Sequence, residues 1–201
     1  GLYVSLVLRP EAMLGGQAGW SARWASLGLA VGLGLREGLA RWVPEAALKW
    51  PNDVLVAGEK LAGVLCETRW QGASPDLVVG FGVNVLQREF PAELRATSLA
   101  RVLPEGTCPL RQEVLAAALA GLEPVLRRFF AGGFPAIRAD YQRHSAVFGR
   151  TLSVGGAPAE AVGFDDDGAL RVRPPGGGPS RRVEAEDVWL GGAGGAGSGR
   201  S

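Results

Sequence analysis

Lysine is nearly absent from this chain. Of 21 basic residues only Lys49 and Lys60 are lysines, the rest being arginine, and the only asparagines are Asn52 and Asn84. Histidine occurs once, at His144, and the two cysteines, Cys66 and Cys108, stand far apart and outside any CxxC pattern. One histidine and two lone thiols exclude a disulfide framework and a zinc-ligand set, and they fit a reducing, cytoplasmic setting. A net charge of +1 supplies no broad field, so nucleic acid is not an expected partner. No apolar run reaches the roughly 18 residues of a membrane span, and no basic, apolar, small-residue signal opens the chain. A membrane partner is not expected either.

The chain does have 201 residues, 47% of them hydrophobic, enough for one good core and a second, small domain. Gly1 opens directly on a strand-like alternation, GLYVSLVL, as in a domain whose beginning lies upstream. From Trp20 to Val43 the apolar residues Trp20, Trp24, Leu27, Val31, Leu35, Leu39 and Trp42 step by three and four before Pro44, which predicts an amphipathic helix. Gly28, Gly32, Gly34 and Gly38 each cost that helix about 0.8–1 kcal/mol against alanine, unless another backbone packs closely there. Apolar runs at 46–50 with 54–56, at 61–68 and at 77–85 read as strands. A turn at 57–59 joins the first to the second, and a loop at 71–76 leads into the third.

A second helix is predicted from Arg111 to Phe130, kinked or split at Pro124, and a short third one from Pro135 to about His144. After Gly149 the runs RTLSV, AEAVGF, ALRVRP and RRVEAEDVWL predict four short strands in a small barrel. The fold class is thus α+β. Residues 1–146 form a mixed or antiparallel sheet packed with helices, 147–190 the barrel, and 191–201 a disordered Gly-rich tail.

Both lysines lie in one segment, KWPNDVLVAGEK. Pro51 cannot donate to a sheet ladder, so it interrupts the strand of Lys49 and Trp50 and leaves Asn52 and Asp53 at the break. The turn at Gly58 folds Lys60 back toward Asp53 or Lys49. Two compact cations, a carboxamide and a carboxylate at one sheet end suit a phosphate ester and a metal ion. The Gly80-x-Gly82 step admits another backbone or a ligand closely and delivers Asn84 to the same end.

These residues resemble a known family. KWPND at 49–53, KLAGVL at 60–65 and GFGVNV at 80–85 look like the ordered signature blocks of biotin protein ligases. GLYVSLVLRP at the start, Thr97-Ser98-Leu99 and the closing AEDVWL also match, so the resemblance covers about residues 1–190. It implies a class II synthetase-like catalytic domain followed by an SH3-like barrel. It further implies ATP, Mg²⁺ and biotin as reactants, with biotinyl-5'-AMP as intermediate and a biotin carboxyl carrier domain as the protein partner. A homodimer is compatible with it.

By the same resemblance Lys60, Lys49 and Asp53 are the catalytic residues. Lys60, Lys49, Asn52, Gly63, Gly80, Gly82 and Asn84 bind substrate or nucleotide, and Asp53 and Asn84 are the candidates for the metal.

The chain also departs from the family. Its members carry a Ser-Thr-Asn segment and a Gly/Arg-rich loop upstream of GLY, and neither is among these 201 residues. The implied consequence is weak binding and slow catalysis by the chain alone. The alternatives are a non-catalytic fragment or paralogue that keeps the fold and its dimer- or carrier-binding surface, and a lipoate-type ligase. Outside the blocks the ordinary readings prevail: His144 is structural, Cys66 belongs to the core, and Glu67 can face either way. Arg171, Arg173, Arg181 and Arg182 form a solvated face.

Overall fold

Period-two alternation places ten strands in two antiparallel sheets in the computed structural model, which describes residues 1–9, 24–71, 74–183 and 188–190. The first sheet holds β1 (Leu2–Leu8), β2 (Ala47–Lys49), β3 (Asp53–Val56), β4 (Glu59–Gln71) and β5 (Ser74–Val83), ordered β1-β5-β4-β3-β2. Every neighbouring pair is antiparallel. The loop expected at 71–76 is a hairpin end instead, with pairing carried out to Gln71 opposite Ser74. Ala62, Val64, Val79, Phe81 and Val83 are buried on one face, which is covered by helix α1 (Leu27–Leu39). Among the described residues no helix covers the other face.

Helix α1 ends at Leu39 rather than Val43. The chain turns there because Trp42 and Val43 both donate to Leu39 O, and because Arg36, itself buried, donates to Pro44 O at 2.6 Å and to Ala46 O at 3.1 Å. That guanidinium satisfies two carbonyls of the turn beyond the helix. The expected start of the helix near Trp20 lies outside the described residues, as does the 191–201 tail.

The short helix α2 (Leu99–Val102) leads to α3 (Arg111–Gly132), which runs through Pro124 without splitting. Pro124 and Ala120 are both exposed, so the carbonyl that loses its helical donor faces solvent and the break costs little. Two of the glycines of α1, Gly34 and Gly38, find their reason in α3. A Cβ on Gly38 would stand 2.2 Å from Ala117 O, and one on Gly34 would stand 2.7 Å from Leu122 Cα. Gly121 faces them, its own Cβ position 2.3 Å from Gly34 O. Two helix backbones meet where side chains are missing. Gly28 has nothing within 4 Å and is not needed in this way.

The third expected helix is two pieces, a 3-10 turn at Phe134–Ala136 and α4 (Arg138–Arg143). The second sheet holds β6 (Thr151–Val154), β7 (Ala157–Phe164), β8 (Leu170–Arg173), β9 (Arg181–Val183) and β10 (Val188–Leu190), ordered β10-β6-β7-β8-β9. Five strands replace the four expected, because RRVEAEDVWL divides into β9 and β10. Among the described residues these two end the sheet without pairing to each other, so a closed barrel is not formed by them. Each is only three residues long and offers few ladder bonds.

The two sheets share one core. The rings of Phe134, Tyr141, Phe148 and Phe164 meet edge to face with centroids 5.4 to 5.9 Å apart, a favoured aromatic geometry. Buried Trp50 donates its indole N–H to Gly168 O at 3.0 Å, tying the end of β2 to the turn before β8. No helix among the described residues is long and apolar enough to cross a membrane.

The helix contact gives a paired stability test. Gly38→Ala gains about 1 kcal/mol of helix propensity but forces the helices apart, and overpacking typically costs about 1–3 kcal/mol or more. Chemical denaturation should show a net loss for Gly38→Ala, whereas Gly28→Ala should be neutral or stabilising. Equal effects of the two would contradict the close-approach explanation.

Candidate functional site

Cross-strand neighbours in an antiparallel sheet point to the same face, and the register here makes one row across all five strands. Lys49 opposes Asp53, Asp53 opposes Gly63, Gly63 opposes Gly82, and Gly82 opposes Tyr3. The row lies on the open face. The next one is Leu65, Gly80 and Ser5. Three glycines in two adjacent rows put no side chain on the face at Gly63, Gly80 and Gly82, and a cleft of about 520 Å³ lies over them. Tyr3, Ser5, Leu65, Lys60 and Asn84 are among its walls, Tyr3 being 78% and Leu65 63% exposed.

Lys60 enters this face through two local devices. Ala57 and Gly58 both take positive φ, 50° and 84°, the conformation of a two-residue hairpin whose twist matches its strands. Then the register slips: Val54 opposes Ala62 but Leu55 opposes Lys60, so Leu61 is an extra residue on β4. Such a bulge re-aims side chains. Leu61 is fully buried, while Lys60 turns outward and lies across Gly63, whose Cβ would stand 2.8 Å from Lys60 Cε and 2.9 Å from Nζ.

Asp53 draws the two lysines together. Its Oδ1 is 2.5 Å from Lys60 Nζ and its Oδ2 is 3.8 Å from Lys49 Nζ. The Asp53 side chain is largely buried, and Oδ1 has no donor aligned for a hydrogen bond; the short contact is an ion pair. Partly exposed ion pairs contribute about 0–1 kcal/mol to stability, so the cluster matters for its field rather than for the fold. Behind it, burial and then the charge of Asp53 push the Tyr141 phenol far above its ordinary value. Tyr141 therefore stays protonated.

The two asparagines face backbone. Asn52 donates from its side chain to Val64 O and accepts from Val64 N–H at its own carbonyl, both at 2.9 Å. Asn84 Nδ2 donates to Thr97 O at 3.0 Å and Lys60 O at 3.3 Å. Lys60 N–H donates to Arg95 O, and Thr97 N–H to Lys60 O. The strand positions carrying Asp53 and Lys60 are thereby clamped by carboxamides.

His144 lies away from the cleft, 3.6 Å from Glu37, where burial and the charge of Arg36 hold its imidazole below the ordinary value. Its carbonyl accepts from Leu48 N–H at 2.7 Å, a structural role. Cys66 lies toward the core, with its thiol pushed up to about 11 by burial. Glu67 is exposed. Arg171, Arg173 and Arg182 are paired with Asp165, Glu160 and Asp167, which fits a solvated face and not an open basic patch.

Two residues at the ends of the charged row were not singled out in the sequence. Tyr3 was readable only as one member of an alternating strand. Trp189, on β10, sets its ring 5.3 Å from Lys49 Nζ; no spacing signal joins positions so far apart in the chain. Trp50, the neighbour of Lys49, is buried and bonds to Gly168 on the opposite side from the cleft.

The row predicts a local effect of Gly63→Ala. The added Cβ collides with the end of the Lys60 side chain, which must move. A crystal structure of the variant should show Lys60 and Asp53 beyond ion-pair range, while the unfolding free energy changes by less than about 1 kcal/mol. An unmoved Lys60 would contradict the packing described.

Comparison with known proteins points in one direction. A model of the "Biotin/lipoate A/B protein ligase family" matches residues 1–84. The chain is 32% identical over 212 residues to a biotin–[acetyl-CoA-carboxylase] ligase of Paracoccus denitrificans, covering 94% of this chain and 79% of that protein. It is 35% identical over 173 residues to the enzyme of that name from Mycobacterium tuberculosis, covering 82% of this chain. It spans 62% of the length of that relative. Among solved structures, the biotin protein ligase of Aquifex aeolicus in complex with biotin and ATP aligns with a TM-score of 0.74 at 27% identity, over 94% of this chain and 77% of that one.

Proposed function

Because this chain belongs to the biotin–[acetyl-CoA-carboxylase] ligase family, we propose that it joins biotin to a lysine of a biotin carboxyl carrier domain, through biotinyl-5'-AMP made from ATP. The observation that supports this most is the charged row. Lys60 lines a cleft floored by glycine backbone, and the carboxylate of Asp53 pairs with it and with Lys49 on the next strand over.

In the first step a carboxylate oxygen of biotin bonds to the α-phosphorus of ATP, and the bond from that phosphorus to pyrophosphate breaks. Both reactants are anions. Cations fixed where charge develops lower this barrier more than they tighten ground-state binding. Lys60, exposed at the cleft, receives the biotin carboxylate and the oxygens of the forming acyl phosphate, and Lys49 neutralises phosphate. Gly63, Gly80 and Gly82 let the ligand lie against the sheet. In the second step the carrier amine attacks the acyl carbon and AMP leaves. Asp53 accepts the proton once Lys60 has turned from it to the ligand. Asn52 and Asn84 act through the backbone they clamp.

Mg²⁺ fits this site only as a companion of the nucleotide. Asp53 already faces two ammonium groups, the Asn84 amide donates to carbonyls, and no three metal-binding side chains gather among the described residues. Magnesium is commonly held by one or two carboxylates plus substrate phosphates, and here it supplies further charge neutralisation to those phosphates. In the same reading residues 1–146 are the ligase domain, 147–190 a small SH3-like domain whose sheet is open among the described residues, and the cytoplasm the setting.

Biotin-dependent pyrophosphate release tests the reading, with lipoate in place of biotin as control because the matched family includes both ligases. Release is expected with biotin and not with lipoate. Lys60→Ala should lower it about 10²- to 10³-fold, the scale for removing one group that stabilises developing charge. A change below tenfold would remove Lys60 from the reaction.

A further inference from the structure

Consecutive residues of a strand point to opposite faces, and at the end of β2 one side meets the turn before β8 and the other meets β10. Trp50 points inward and donates to Gly168 O at 3.0 Å. Lys49 points outward, and the ring of Trp189 lies 5.3 Å from its ammonium. The ammonium is thus bounded by Asp53 Oδ2 at 3.8 Å on one side and an indole face on the other. Trp189 is not held there by burial, since it is 68% exposed. Its backbone is fixed by pairing with Ser153 on β6.

We infer that Trp189 is a positioning residue for Lys49: the second sheet contributes to the charged row an aromatic face that holds the flexible lysine stem in its anion-binding orientation. This rests on the function proposed above and extends it to an element that sends no charged group into the row. An indole attracts an ammonium within about 6 Å of its centroid, and the attraction is directional enough to select one arrangement of the stem. A rotamer-rich side chain held in advance loses less freedom when a phosphate arrives. The row is then closed at both ends by aromatic residues, Trp189 beside Lys49 and Tyr3 beyond Gly82.

The scarcity of lysine makes the test direct. Protein labelled only at lysine gives two side-chain NMR resonances, assigned by Lys49→Arg. Trp189→Leu, at an exposed position, should remove the ring-current displacement of the Lys49 resonance and leave Lys60 in place; Trp189→Phe should retain much of it. Titration with MgATP should move the Lys49 resonance in the unsubstituted protein, with apparent affinity weakened about two- to fivefold in Trp189→Leu and largely restored in Trp189→Phe. An unchanged Lys49 resonance in Trp189→Leu, or equal affinity in all three proteins, would overturn the positioning role while leaving the proposed function standing. Failure of MgATP to move Lys49 in the unsubstituted protein would overturn the proposed function and this role together.

Discussion

The site depends on one carboxylate between two ammonium groups. Lys49 and Lys60 reach the same corner from β2 and β4, and without Asp53 on the intervening strand their charges would repel. At a partly exposed site two unit charges about 4 Å apart interact by up to about 4 kcal/mol, which is enough to disperse two flexible side chains. Asp53 removes that penalty while keeping net positive charge. The register of β3, the hairpin at Ala57-Gly58 and the bulge at Leu61 all serve to bring these three groups onto one face. Their arrangement suits a reaction in which anions must approach each other.

Glycine supplies the complementary constraint, and it does so on both sides of the sheet. On the covered side Gly34, Gly38 and Gly121 let α1 and α3 touch backbone to backbone, building a close-packed support behind the strands. On the open side Gly63, Gly80 and Gly82 leave the floor of the cleft bare and make room for the Lys60 stem. Missing side chains thus let the helices behind the sheet pack closely and leave the glycine floor of its front accessible.

Much of this was legible in the sequence because it is local. The strand break at Pro51, the turn at Gly58 and the polar pair Asn52-Asp53 lie within KWPNDVLVAGEK, so the meeting of Lys60 with Asp53 could be anticipated from spacing. The glycine cost in α1 correctly pointed to a close backbone neighbour without naming α3. What depended on tertiary contact was not legible. Asn84 could be delivered to the site by its block, but only the fold shows its amide turned to the carbonyls of Lys60 and Thr97. Pro124 was expected to kink or split α3, yet its freed carbonyl faces solvent and the helix continues unsplit. The barrel inferred from short strands is an open five-stranded sheet among the described residues, and the reach of Trp189 to Lys49 spans two sheets.

The central claim is that the glycine-floored cleft, with its lysine pair, receives both reactants. A crystal structure of the protein with biotin and ATP tests it most directly. The account predicts ligand density along Gly63, Gly80 and Gly82, with a carboxylate or phosphate oxygen within hydrogen-bond distance of Lys60 Nζ and a phosphate oxygen beside Lys49 Nζ. Ligand bound elsewhere, with the Lys60–Asp53 pair intact and the cleft empty, would contradict it.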